Sequence, residues 1–398
     1  MEIDNFMIIK PADRISTIKP YFFASLASKI SNLKENGIDI IRIDIGSPDM
    51  PPQQFIIDEL TKVANNPKSH GYTPNGGTTD FRKSISDYYL NRFGVSLNPS
   101  TEVLALIGSK EGLFHFTQVM VNPGDLVLVP DPGYPVYAGS TIIAGGEVFN
   151  FPLLEENNFL PDLENIPQEI VQKAKIMWIN YPNNPTGAVA SLNFFEKLIH
   201  FAQDNNIIIA HDAPYVEVCF DGYVAPSILQ VPGAKEVAVE FNSLSKSYNM
   251  AGWRIGMVVG NPDIIRYINT YKSQMDSSLF APILSAGQAA LTGSQEWLAA
   301  RNQIYKERRD LVVSGLQTVG FKVNAPPAAI YIWAKLPVGF NDSVNVCNRL
   351  LEETGVSITP GLVYGKFGEG YIRISLGSDT QRLSIAIERI KNWFKSQV

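Results

Sequence analysis

Apolar positions along this chain follow two patterns, and the change between them divides it. Between residues 100 and 260, short apolar runs bounded by turn residues alternate with stretches of helical spacing. The runs at 103–107, 126–129, 175–180, 207–210 and 255–260 have the length and continuity of strands buried on both faces. Residues 113–120 and 194–205 place apolar side chains three and four apart, as amphipathic helices do. This alternation predicts an α/β domain whose mainly parallel sheet is sandwiched by helices. From Phe321 the pattern shortens to strands at 330–334, 356–359 and 371–376 and helices at 344–354 and 381–394. That shift predicts a smaller α+β domain. The expected division is an N-terminal arm with part of the small domain at 1–45, a large domain at 46–289, and the rest of the small domain at 290–398.

The remaining segments fill in around this frame. Residues 24–33 read as a helix stopped by Gly37, and residues 41–45 alternate as a strand before the turn Gly46-Ser47-Pro48-Asp49. A helix follows at 53–65, then a stiff loop, His70-Gly71-Tyr72-Thr73-Pro74-Asn75-Gly76-Gly77. Residues 150–170 are acidic and irregular, and read as a loop with a short helix. Residues 261–272 and 283–292 read as helices separated by a polar loop. A long helix at 296–319 carries the charged run Lys306-Glu307-Arg308-Arg309-Asp310, expected to be solvated.

Composition narrows the functional classes. At 398 residues the chain exceeds the roughly 250–300 at which one core stops growing, so two domains fit. A net charge of 33 − 39 = −6 leaves no basic footprint for nucleic acid. No run of 18 apolar residues suggests a membrane span, and residues 1–5 do not resemble a signal peptide. Cys219 and Cys347 are far apart and read as buried thiols of a cytoplasmic protein. The histidines, His70, His115, His200 and His211, show no metal-ligand spacing.

The densest chemistry lies in Ser243-Leu244-Ser245-Lys246-Ser247-Tyr248-Asn249-Met250-Ala251-Gly252-Trp253-Arg254-Ile255-Gly256. An amine among hydroxyls, with an arginine eight positions on (254 − 246), suits a phosphate-bearing aldehyde. Lysine condenses with the aldehyde, while arginine and hydroxyls hold phosphate oxygens. A surface turn with a solvated lysine accounts for the same residues. Gly108-Ser109-Lys110 opens a helix and offers free N–H groups to an anion, or a plain serine cap. Tyr134, held between Pro132-Gly133 and Pro135, could stack on a flat ring. Tyr181-Pro182-Asn183-Asn184-Pro185-Thr186-Gly187 is too constrained for a generic linker. Asp212 ends a predicted strand, where open α/β sheets place ligands. Arg373 stands inside an alternating strand, where a salt bridge is the ordinary reading.

Together these segments, from about Ile43 to Arg373, resemble the pyridoxal-phosphate aminotransferases of the aspartate aminotransferase superfamily, fold type I, class I/II. The resemblance implies that Lys246 binds the cofactor and moves a proton, that Asp212 pairs with the ring nitrogen and that Tyr215 and Asn184 meet the phenolic oxygen. It places Gly108, Ser109, Lys110, Ser243, Ser245 and Arg254 around the phosphate and Tyr134 against the ring. Arg373 would clamp the substrate α-carboxylate beside Gly46. Tyr72 would reach the phosphate of a neighbouring subunit, which implies a homodimer with shared sites. The substrates implied are an amino acid and a 2-oxo acid. Residues 20–23, 44–49, 243–260, 357–361 and 371–376 look most like LL-diaminopimelate and alanine aminotransferases. Residues 271–282 hold Lys272 and Asp276 but no arginine for a second carboxylate, which weakens an aspartate reading; Lys110 keeps it open. A C–S lyase or synthase on the same scaffold would share these residues.

Overall fold

The computed structural model describes residues 9–18 and 22–397; the expectations for residues 1–5 and for arm residues 19–21 lie outside them. The apolar runs in mid-chain form a seven-stranded sheet. Its strands lie in the order Val103–Leu106, Gly256–Gly260, Ala238–Ser243, Ile208–Asp212, Ala174–Asn180, Leu126–Asp131, Glu147–Pro152. Gly256–Gly260 runs antiparallel to both neighbours, and the other adjacent pairs are parallel. Alternate residues feed two apolar cores. Met177, Ile179 and Ile209 enter one, while Ile176, Trp178 and Ala210 enter the other. A sheet buried on both faces explains why its strands read as continuous apolar runs.

A second assembly joins segments that come before and after the large sheet in sequence. Strands Thr359–Pro360, Tyr371–Ser375 and Tyr331–Lys335 form an antiparallel sheet over a separate core that includes Ile41, Ile43, Val312, Leu350 and Leu383. Helix Trp297–Gln317 spans the two assemblies, with Leu298 in the first core and Tyr305, Val312 and Leu316 in the second.

Several expectations need correction. Only Ile41–Arg42 pairs as a strand, parallel to Val356–Ser357, because the chain then turns away to let Asp44 and Gly46 meet other partners. Arg308 and Arg309, expected in a solvated face, are 4% and 3% exposed. Arg308 makes a bidentate pair with Asp49 (2.7 and 2.9 Å) and donates to the Leu376 carbonyl; Arg309 binds Asp221 and the Pro326 carbonyl. Their long side chains run under neighbouring segments, so charge alone misreads their burial. The acidic segment begins with an edge strand, Glu147–Pro152, and the helix expected to stop near Lys272 continues to Met275. Helices Thr79–Phe93 and Val136–Ile143, and strand Ala238–Ser243, are additions to the sequence reading. Glu111 and His115, one turn apart on helix Ser109–Met120, converge in space with the distant Asp276. The Lys272 ammonium bonds both carboxylates, at 2.7 and 2.8 Å, and supplies the balancing charge.

Candidate active site

The carboxyl ends of the parallel strands open onto a cavity of about 340 Å³. Strand Ala238–Ser243 delivers the chain into a single helical turn, Leu244–Ser247, whose first amide groups are capped by Ser243 Oγ at 3.2 Å from Ser245 N. This turn carries Lys246 to the cavity wall, where its amine donates to the Gly46 carbonyl. Burial, then the charges of Arg373 and Arg254, bring the Lys246 pKa down to about 8.

Asp212 ends the neighbouring strand. Its Oδ2 accepts from the Tyr137 hydroxyl at 2.7 Å, and its carbonyl accepts from Asn180 Nδ2 at 2.6 Å. Its Oδ1 is buried with no hydrogen-bond partner among the described residues. Burial raises the carboxyl pKa to about 6, opposed by the Tyr137 bond and the charge of His211. A buried carboxylate oxygen left unpaired is costly, and a protonated ring nitrogen would satisfy it. Tyr137 is held by stacking on Trp178 at 4.9 Å and 14°. It was missed in sequence because nothing sets it apart from Tyr134, three positions earlier.

The opposite corner suits a phosphate. Gly108 caps helix Ser109–Met120 with φ +73°, and a Cβ there would lie 2.3 Å from Arg254 Nη2, so only glycine lets the guanidinium approach. Arg254 reaches Ser245 Oγ at 3.5 Å and the Ala251 carbonyl at 2.8 Å. The helix N-terminus, Ser109, Ser245 and Arg254 together offer donors and positive potential. Lys110 lies with its ammonium 5.8 Å from the Tyr134 ring centre, its pKa lowered by burial and by Arg254.

The third corner is built across the two cores. Arg373 donates to Asn184 Oδ1 at 2.9 Å and to the Asp44 carbonyl at 2.6 Å. Its guanidinium carbon lies 4.3 Å from the Tyr331 ring centre and 5.0 Å from that of Tyr364. Its Nε has no hydrogen-bond partner among the described residues. Tyr331, also missed in sequence, bonds the Tyr215 hydroxyl at 2.9 Å and packs on Gly46, where a Cβ would meet its hydroxyl at 2.1 Å. Burial pushes the Tyr215 hydroxyl pKa well up.

The structure thus gathers Gly46, Ser109, Lys110, Tyr134, Asn184 and Asp212 with Tyr215, Ser243, Ser245, Lys246, Arg254 and Arg373, while Gly108 backs Arg254. Tyr72 stands apart, 95% exposed. Five cationic side chains, counting Arg42, line the cavity against Asp44 and Asp212, which favours an anionic ligand. These residues fit an aromatic aldehyde carrying a phosphate and a ring nitrogen.

The comparisons agree. Residues 38–390 match the family described as aminotransferase class I and II. An LL-diaminopimelate aminotransferase of Moorella thermoacetica is 49% identical over 383 residues, covering 96% of this chain and 98% of that protein. Another, from Dehalococcoides mccartyi, is 49% identical over 389 residues, covering 98% and 100%. The solved structure of substrate-bound BacF from Bacillus subtilis matches with a TM-score of 0.93 at 38% identity, covering 97% of this chain and 98% of that one. The chain belongs to the class I and II aminotransferases and is a pyridoxal-phosphate-dependent transaminase of fold type I.

Proposed function

We propose that the protein moves an amino group between an LL-diaminopimelate- or alanine-like α-amino acid and a 2-oxo acid, with half-reactions in alternation. The observation that carries this reading is one cavity uniting Lys246, Asp212 and Arg254 with Arg373. Pyridoxal 5'-phosphate, when bound, supplies an aldehyde for the amine and a ring that accepts electrons. In this reading Arg254, Ser109, Lys110, Ser243, Ser245 and the N–H groups after Gly108 hold the phosphate. Tyr134 would lie against the ring, and Asp212 Oδ1 would keep its nitrogen protonated, so that the ring could stabilise charge developing at the substrate Cα. Tyr215 and Asn184 steady the phenolic oxygen. Arg373 grips the α-carboxylate beside Gly46, and Lys246 takes the proton from Cα as a general base. An amine whose pKa lies near 8 is suited to that task at neutral pH.

Relatives named for LL-diaminopimelate support the donor choice. Lys272 is fully buried and bonded to Glu111 and Asp276, so it does not serve a distal carboxylate. The exposed Tyr72 supports a homodimer in which each cavity borrows that residue. The two unpaired thiols, Cys219 and Cys347, suit a cytoplasmic setting.

The test is a half-reaction panel. Protein loaded with cofactor is mixed with single amino acids, without oxo acid, and the aldehyde absorption is followed. LL-diaminopimelate and alanine should lead, glutamate should follow, and aspartate should lag. Aspartate faster by tenfold or more, about 1.4 kcal/mol in transition-state binding, would overturn the donor reading and point to Lys110. Ammonia and pyruvate released without oxo acid would mark a lyase instead. For the dimer, Tyr72→Phe and Lys246→Ala subunits are mixed; recovered turnover supports shared sites, and purely additive activity refutes them.

A further inference from the structure

Asp131 ends strand Leu126–Asp131, three residues before Tyr134, and is 4% exposed. Its carboxylate accepts from two backbone N–H groups, Lys366 to Oδ2 at 3.1 Å and Phe367 to Oδ1 at 3.0 Å. Beside them, Gly133 N–H donates to the Tyr364 carbonyl at 2.8 Å. Three hydrogen bonds therefore join the Tyr134 turn of the large sheet to segment 364–367, which connects two strands of the small sheet. Gly365 makes the approach possible: its φ is +133°, and a Cβ would lie 2.0 Å from Asp131 Oδ1.

The far end of this link is Tyr364. Its ring stands edge-on to Trp333 at 6.0 Å and lies 5.0 Å from the Arg373 guanidinium carbon. With no hydrogen-bond partner on Nε among the described residues, Arg373 is aimed by its two Nη bonds and by the rings of Tyr331 and Tyr364. Burying a carboxylate to join two loops is unfavourable unless its charge strengthens the joint. Charge-assisted hydrogen bonds, roughly twice as strong as neutral ones, do that.

We propose that Asp131 is a positioning residue: it latches segment 364–367 to the Tyr134 turn and, through the Tyr364 ring, sets the angle of Arg373. The cofactor side and the substrate-carboxylate side of the cavity are thereby held in one register. This rests on the roles given above to Tyr134 and Arg373. Because Lys246, Asp212 and Arg254 hang on the large sheet, losing the latch should loosen substrate and spare cofactor.

Two variants test it on the cofactor-loaded protein. Asp131→Asn keeps the size but turns an N–H group toward a donor, and Lys366→Pro deletes one donor at the first residue of a 3-10 turn, where proline is tolerated. Each should raise KM for every amino-acid donor about tenfold while kcat and cofactor affinity stay within threefold. Propionate, a bare carboxylate, should bind each variant about tenfold more weakly by calorimetry. The double variant should be no worse than the worse single one, since both break one link. Unchanged KM and propionate affinity would overturn the latch, as would equal losses in kcat, KM, cofactor affinity and melting temperature. If Asp131→Asn does not fold, Lys366→Pro decides alone by the same readouts. Wild-type protein that binds propionate but converts no donor would sink the functional reading and leave the latch to the propionate result. Wild-type protein that binds no propionate overturns the latch as well.

Discussion

The two halves of the cavity are built differently. On the sheet side, Asp212, Ser243 and Lys246 sit at or just past adjacent strand ends, and Arg254 returns a few residues later. Their positions follow from local chain geometry on a rigid, doubly covered sheet. On the other side, Arg373 reaches Asn184 and Asp44 across 189 and 329 positions of sequence, with Tyr331 and Gly46 packed between. That half exists only when the two cores meet. Both halves must hold their groups in fixed geometry; one draws it from a single sheet, and the other from contacts between segments remote in sequence.

The strongest test of the rigid half is Lys246→Ala, which should reduce turnover at least ten-thousandfold and remove the absorption of covalently held cofactor, since Lys110, the other amine among the described cavity residues, lies beside Tyr134 at the phosphate corner. Activity above a hundredth of wild type would show that the base lies elsewhere. Asp212→Asn comes next. It should fold and still take up cofactor, yet lose about a hundredfold to a thousandfold in kcat, about 2.7–4 kcal/mol, because the partner left to the ring nitrogen can no longer hold its proton. An unaltered kcat would mean that another group serves the nitrogen.

The assembled half should fail in another parameter. Arg373→Lys keeps a charge but loses the two-pronged geometry, and should raise donor KM roughly thirtyfold while cofactor affinity holds. If cofactor binding collapsed as well, the division into halves would be wrong.

The halves also meet electrostatically. Arg373 and Arg254 both disfavour the Lys246 ammonium, whose pKa lies at about 8. A lysine pKa lower in the folded protein than its ordinary value of about 10.4 means that the unfolded chain holds the extra proton. Stability of the cofactor-free protein therefore rises as pH climbs from about 8 to about 10.4, and below that window the cost is fully present. The rate at which cofactor-free protein takes up pyridoxal phosphate should be level above about pH 8 and fall about tenfold per unit below it. Arg373→Gln should move the break upward. A rate that stays level down to pH 6.5 would show the amine already neutral.

How much was legible in sequence follows the same division. Lys246, Asp212, Asn184 and Arg254 stood out because turns that bring several functional groups into a few residues leave a dense local pattern. Tyr331 and Tyr137 left none, since an aromatic in a strand or helix looks like core. In the fold, apolar runs marked most sheet strands, but Ala238–Ser243 escaped because it buries Glu240 and Asn242. Glu240 is tolerated there by bonds from Tyr89, Ser227, His211 and the Ile228 amide. Helix Thr79–Phe93 is the same case from the other side, since its buried face includes Ser84, Ser86 and Tyr89. Buried polar networks erase the periodicity on which sequence reading depends.

Tyr331→Phe should have the smallest effect and gives the finest cut. Tyr331 touches both halves, its hydroxyl on Tyr215 and its ring under Arg373. The substitution removes the hydroxyl and keeps the ring. A neutral hydrogen bond contributes about 0.5–1.5 kcal/mol, so a loss of roughly twofold to tenfold is expected. Because Tyr215 serves the cofactor in this reading, the loss should fall on kcat, with donor KM within twofold of wild type. Steady-state kinetics with alanine as donor decides it. A rise in KM with kcat intact would assign the hydroxyl to the carboxylate grip, and the border between the halves would then run between Tyr215 and Tyr331.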